Sequence, residues 1–173
     1  MHAAGVVAYP TEAVWGLGCD PWSEPAVAKI LRLKRRSVGK GVILIAHSME
    51  QFAPFLSGLD QSAHDRLKAS WPGPATWLVP NNGVAPDWIS GGRSTLALRV
   101  TNHPLASALC KVFGGPIVST SANPQGLPAA TTALKVRSYF GSQLESVTPG
   151  RVGEQAKPSE IRHLLTGEII RPG

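Results

Sequence analysis

Cysteine is nearly missing from this chain of 173 residues: only Cys19 and Cys110 are present. Two residues so far apart build neither a disulfide framework nor a metal-binding spacing, so they read as buried, reduced thiols rather than a redox couple. Long apolar runs are lacking too. None approaches the ~18 residues of a membrane span and no signal peptide opens the chain, so a cytoplasmic protein with no membrane partner is expected. Aromatic residues make up only 6%, few for a surface that tracks RNA by stacking. No glycine-rich stretch ends in Gly-Lys-Ser/Thr, which excludes a Walker loop, and Gly16-Leu17-Gly18 is too short for a dinucleotide fingerprint. The five histidines (His2, His47, His64, His103, His163) lack metal-ligand spacing. No Ser/His/Asp or Cys/His set declares itself, so neither a protein-held metal nor a covalent nucleophile is expected. His103, ahead of Pro104, reads as a residue at a helix start rather than a base.

What the chain does have is basic charge and a core. Seventeen basic against eleven acidic residues give a net charge of +6 and a pI of about 9.8. That balance points to a polyanionic partner, nucleotide or nucleic acid, or else to a generally basic surface kept soluble by its charge. Hydrophobic residues make up 43% and mean hydropathy is near zero, as in an ordinary soluble protein. At this length one domain over 1–173 is expected, burying roughly 70% of its unfolded surface.

Periodicity and breakers outline alternating strands and helices. Short apolar runs predict strands over 6–9, 41–46, 75–80, 95–100 and 116–120, with two more in the tail over 160–165 and 168–171. Helical spacing predicts helices over 24–34, capped by Ser23, and over 49–56, 61–70, 104–113 and 132–140. Trp71-Pro72-Gly73-Pro74 interrupts regular structure, and 81–92 is loop-rich. Strands interleaved with helices define an α/β domain.

Three segments place polar side chains at every second position. They are Lys34-Arg35-Arg36 with Lys40 after it, Thr95-Leu96-Ala97-Leu98-Arg99, and Ser119-Thr120-Ser121-Ala122-Asn123. In extended backbone, residues two apart share a face. Lys34, Arg36, Lys40, Thr95, Arg99, Ser119, Ser121 and Asn123 would then line one cleft suited to a small carboxylate or phosphate ligand. Each segment also has a plainer reading. Cations complement a helix C-terminus, Arg99 fits a solvated strand face, and Ser-Ala-Asn-Pro favours a turn.

Together these segments resemble the YrdC/TsaC family, the threonylcarbamoyl-AMP synthases. The matching stretches run Tyr9-Pro10-Thr11-Glu12-Ala13-Val14-Trp15-Gly16-Leu17-Gly18-Cys19, Leu33-Lys34-Arg35-Arg36 and Lys40-Gly41-Val42-Ile43-Leu44-Ile45. They continue through Trp71-Pro72-Gly73-Pro74-Ala75-Thr76, Leu96-Ala97-Leu98-Arg99-Val100, His103-Pro104-Leu105, Ser119-Thr120-Ser121-Ala122-Asn123 and Pro158-Ser159-Glu160-Ile161-Arg162. The resemblance implies a twisted mixed sheet with flanking helices around a basic concave cleft, in the short bacterial form. It implies formation of threonylcarbamoyl-adenylate and pyrophosphate from L-threonine, bicarbonate or CO2, and ATP. Other proteins then transfer the group to the adenosine beside the anticodon of tRNA.

On this resemblance Lys34 and Arg36 are catalytic. Thr11, Arg99, Ser119 and Ser159 contact threonine or its carbamate. Lys34, Arg36, Lys40, Thr95, Ser121, Asn123 and Arg171 contact ATP, with magnesium carried by phosphates and water. The chain departs from the family at Ser37, where proline often follows the Lys-x-Arg motif, and in having only Met1 to Gly5 before its first strand. A rival reading is a non-catalytic module that binds tRNA, rRNA or other double-stranded RNA through the same basic cleft.

Overall fold

The computed structural model describes residues 4–155 and 159–173, so His2 and Pro158 lie outside the described residues. In chain order the elements are β1 (Val7–Pro10), β2 (Trp15–Gly18), α1 (Glu24–Lys34), β3 (Ile43–Ala46), α2 (Ala53–Leu56) and α3 (Gln61–Ser70). There follow β4 (Ala75–Pro80), α4 (Asp87–Ser90), β5 (Thr95–Val100), α5 (Pro104–Phe113) and β6 (Ile117–Ser121). The chain ends with α6 (Ala133–Phe140), β7 (Ser146–Val147), β8 (Glu160–His163) and β9 (Ile169–Arg171). The strands form one mixed sheet in the order β7-β1-β2-β6-β3-β5-β4-β8-β9, parallel at β1–β7, β3–β5 and β4–β8.

The predicted α/β architecture with flanking helices is present, and the differences from expectation are local. Ser23 occupies the N-cap position of α1, but its hydroxyl caps nothing; Glu24 and Pro25 open that helix instead. Asp60 caps α3, its carboxylate accepting from Ala63 N at 2.8 Å. His103 caps α5: Nδ1 accepts from Ala106 N at 3.4 Å while Nε2 lies 3.2 Å from Arg151 O. Strand β2 has no apolar run because glycine fills alternate positions. A Cβ on Gly18 would lie 2.7 Å from both the Tyr9 ring and Val118 O. Only a bare backbone lets β2 run between β1 and β6.

The two faces of the sheet are treated differently. Leu44, Ala46, Leu96, Leu98, Val100 and Val118 point to one face, where they meet Val27, Ile30, Phe52, Leu67, Ile89 and Phe140 from the helices in a continuous core. The other face has a small cluster of Tyr9, Ile45, Ala106, Cys110 and Ile117, roofed by α5 at one end. Beyond α5 the sheet is uncovered, and Ile43, Ala97, Thr95, Ser119 and Ser121 form a floor. On β6 one face therefore passes from that cluster at Ile117 to the cavity at Ser119 and Ser121, while Thr95, Ala97 and Arg99 of β5 all face the cavity. Both cysteines are buried, and burial pushes each thiol up to about 12. Among the described residues no helix is long and apolar enough to cross a membrane.

One of the three alternating segments is not extended. Lys34 is the last residue of α1, and Lys40 closes a short 3-10 turn over Val38–Lys40. Between them Arg35 takes a left-handed conformation (φ 51°, ψ 43°), with Arg35 N bonding Arg32 O and Arg36 N bonding Leu31 O. That pairing is a Schellman ending with arginine where glycine is usual. It reverses the chain, so Arg36 reaches the cavity by a helix cap rather than by strand alternation.

The 3-10 turn is pressed backbone to backbone against the end of α4. Val42 N donates to Ile89 O at 3.0 Å, and a Cβ on Gly91 (φ +67°) would lie 2.7 Å from Gly41 N and 2.8 Å from Val38 O. Gly92 (φ +72°) has nothing within 4 Å of its hypothetical Cβ. Gly92→Ala should therefore cost only the left-handed backbone term, about 1–2 kcal/mol. Gly91→Ala should cost a further ~1–3 kcal/mol from overpacking, read as a larger drop in thermal midpoint in paired melts.

Candidate active site

The open end of the second sheet face is a cavity of about 580 Å³. Nine predicted residues line it: Thr11, Arg99, Ser119 and Ser159, and, from the second set, Arg36, Lys40, Thr95, Ser121 and Arg171. They come from the β1–β2 connection, the turn after α1, β5, β6, the residue before β8, and β9. Five further polar lining residues, Glu12, Ser90, Arg93, Thr120 and Gln155, were not among the predicted site residues.

Lys34 and Asn123 do not line the cavity. Lys34 is 6% exposed, and its ammonium is surrounded by oxygens: Ser121 O, Ser121 Oγ at 3.4 Å, Asn123 O at 2.9 Å and Asn123 Oδ1 at 3.2 Å. Ser121 Oγ in turn donates to Asn123 Oδ1 at 2.7 Å, and Asn123 Nδ2 donates to Leu127 O. The Lys-x-Arg and Ser-x-Asn segments are thus one unit: lysine holds the serine loop, while arginine faces the ligand space. Burial, with Arg36 adding repulsion, pulls Lys34 down to about 8.

Among the described residues five cations line the cavity (Arg36, Lys40, Arg93, Arg99 and Arg171), against one carboxylate, Glu12. Burial lowers Arg36, and Arg93 and Arg171 lower it further; burial lowers Arg171, and Arg99 adds to that. A row of like charges in one concavity is unfavourable until an anion fills it. Arg36 Nη2 is oriented by Gly41 O at 3.1 Å, Arg93 Nε by Gly39 O at 3.1 Å, and Arg171 Nη2 by Ser159 O at 2.7 Å. Ser159 Oγ lies 2.9 Å from Thr76 Oγ1.

At the other end Arg99 Nη1 donates to Glu12 Oε2 at 2.8 Å, both side chains being under a tenth exposed. Glu12 Oε1 accepts from Thr101 Oγ1 at 2.6 Å and from Asn102 N at 3.3 Å. Burial pushes this carboxyl upward, but the Arg99 charge and the Thr101 hydroxyl outweigh it, leaving it below the usual carboxylate range. Glu12 takes Nη1 of a five-donor guanidinium, so the remaining donors of Arg99 stay available to a ligand carboxylate.

Fold and site define an α/β enzyme of small anionic substrates: a preformed, cationic, hydroxyl-lined cavity on the partly covered face of a mixed sheet. The Sua5/YciO/YrdC family model, described as telomere recombination, matches residues 1–173, and the chain belongs to that family. It is 59% identical over 172 residues to the threonylcarbamoyl-AMP synthase of Cellvibrio japonicus, covering 99% of this chain and 91% of that protein. The homologue from Stutzerimonas stutzeri, of the same name, is 55% identical, with 99% and 92% covered. Among solved structures, P. abyssi Sua5 in complex with L-threonine superposes with a TM-score of 0.91 at 32% identity. That match covers 98% of this chain and 51% of the P. abyssi chain, so the present chain spans about half of its length. E. coli YciO superposes with a TM-score of 0.84 at 25% identity, with 98% and 83% covered.

Two expectations follow from the geometry. Lys34→Met leaves the Ser121 and Asn123 oxygens without their donor, which should cost about 1–3 kcal/mol in denaturant unfolding and loosen the serine loop. Glu12 is held below its ordinary 4.5, so its ion pair stabilises the fold above that value and is lost as pH falls through the lower folded value. The melting-point gap between wild type and Glu12→Gln should therefore be constant near neutral pH and narrow in more acidic buffer.

Proposed function

We propose that this chain is a threonylcarbamoyl-AMP synthase, joining L-threonine, CO2 and ATP into threonylcarbamoyl-adenylate with release of pyrophosphate. The observation that carries the reading is the single cavity in which a row of cations ends at a buried arginine beside Thr11 and Ser119. The row suits the triphosphate. The free donors of Arg99 suit the amino-acid carboxylate, with Thr11, Ser119 and Ser159 toward the amino acid.

The chemistry asks for positioning rather than a nucleophilic side chain. The threonine amine adds to CO2, forming an N–C bond and losing a proton, which leaves an anionic carbamate. A carbamate oxygen then attacks the α-phosphorus; the new O–P bond forms as the bond to the β-phosphate bridge breaks, and pyrophosphate departs with that electron pair. Arg36, Lys40 and Arg171 spread the charge on the phosphates while the enclosed cavity holds two anions together. Thr95 and Ser121 contact the nucleotide, and Lys34 acts through Ser121 and Asn123. Magnesium would be held by the phosphates and water, neutralising phosphate charge, since Glu12, the one lining carboxylate among the described residues, is already committed to Arg99 and Thr101. The product serves cytoplasmic tRNA modification by separate transferase proteins, while direct RNA binding is supported by net charge alone.

The test is pyrophosphate release from ATP and bicarbonate, with and without L-threonine, in wild type and Arg36→Ala. Release should require threonine and fall by roughly 100-fold or more in the variant, as when one preorganised charge-stabilising donor is removed. Threonine-independent release would point to another acceptor. No release from folded protein, together with steeply salt-dependent RNA binding, would favour the RNA-binding reading.

A further inference from the structure

Glu12 is better held than an ion-pair partner needs to be. Its two carboxylate oxygens take three donors from β5 and the residues after it: Arg99 Nη1, Thr101 Oγ1 and Asn102 N. Its backbone is gripped as well. Gln155 N donates to Glu12 O at 3.1 Å, Gly153 N donates to Thr11 O at 2.9 Å, and a Cβ on Gly153 would lie 2.9 Å from Glu12 O. A charge so fixed cannot swing toward the other cations of the cavity.

Those cations share one cavity with Arg99, and repulsion between Arg93 and Arg36, Arg171 and Arg36, and Arg99 and Arg171 couples the amino-acid end to the rest. Left to itself, the Arg99 end would attract phosphate as readily as the rest of the row does. Glu12 faces Arg99 alone among these arginines and cancels its charge where it stands. The neutral pair still offers guanidinium donors to a monoanionic carboxylate, but it no longer offers net charge to a polyanion.

We propose that Glu12 divides the cavity into two anion compartments, a neutral one that accepts the amino-acid carboxylate and a cationic one that accepts phosphates, and that it thereby keeps phosphate groups out of the threonine end. Glu12 is a positioning and specificity residue: it acts on the substrate through Arg99. This rests on the assignment of the Arg99 end to threonine.

The probe is inorganic phosphate as an inhibitor of pyrophosphate release, measured against varied threonine and, separately, varied ATP. In wild type, phosphate should compete with ATP and not with threonine. In Glu12→Gln, nearly isosteric but uncharged, the KM for threonine should rise roughly tenfold or more, as expected when one member of a buried charge pair is neutralised. Phosphate should then become competitive with threonine. Thr101→Val, which loosens Glu12 but keeps its charge, should raise the threonine KM by less and leave phosphate non-competitive with threonine.

A Glu12→Gln enzyme that gains no phosphate competition against threonine overturns the proposal. So does wild type in which phosphate already competes with threonine, an outcome that decides the matter even if Glu12→Gln does not fold. Wild type that releases no pyrophosphate in response to threonine instead refutes the functional assignment, and the two failures are therefore distinct.

Discussion

The site depends on unequal coverage of a sheet whose side chains alternate with a period of two. On one face Leu44, Leu96, Leu98 and Val118 are sealed by helices. On the other α5 covers only the end at Tyr9, Ile45 and Ile117. Because Ile45 pairs with Arg99 and Ile43 with Ser119 across neighbouring strands, the roof ends in mid-strand. The same strands that build the core thus present Thr95, Ala97, Arg99 and Ser119 to the cavity. Burial on one side holds polar groups still on the other.

Electrostatics then sets what this floor can bind. Arg36, Lys40, Arg93 and Arg171 crowd one concavity with, among the described residues, no lining carboxylate but Glu12, which serves Arg99. Folding brings like charges together at a cost, and the hydrophobic core opposite offsets it. A bound polyanion relieves the repulsion, which is why the charge excess of the chain converges on this cavity. Lys34 shows the complementary use of charge. Buried against four oxygens, it stabilises backbone and leaves the ligand to its neighbour two residues on.

Much of this was legible in the sequence. Strand alternation placed Leu96, Leu98 and Val100 in the core and Thr95 and Arg99 on the other face, because β5 is regular and half covered. The family-like motifs located nine lining residues. What escaped had no periodic signature. Strand β2 exists because Gly18 makes room for Tyr9, a steric fact between distant residues. Glu12 and Arg93 sit in connections whose direction is set by packing, and Arg36 reaches the cavity because Arg35 adopts a left-handed cap that nothing in its side chain announces. At Ser37, where proline is frequent in the family, the backbone has φ −64°, the angle a proline ring would impose, so the turn keeps its shape without the ring.

The glycine seam between the 3-10 turn and the end of α4 has a thermodynamic consequence. Gly41 and Gly91 touch main chain to main chain, and Arg93 Nε ties down Gly39 O beside them, so the backbone carrying Arg36, Lys40 and Arg93 is already ordered before any ligand arrives. The conformational entropy of shaping a phosphate site is spent during folding, and binding has only side-chain rotamers left to fix. Affinity at this mouth is then governed by the release of water and counterions from a standing surface rather than by the closing of a loop.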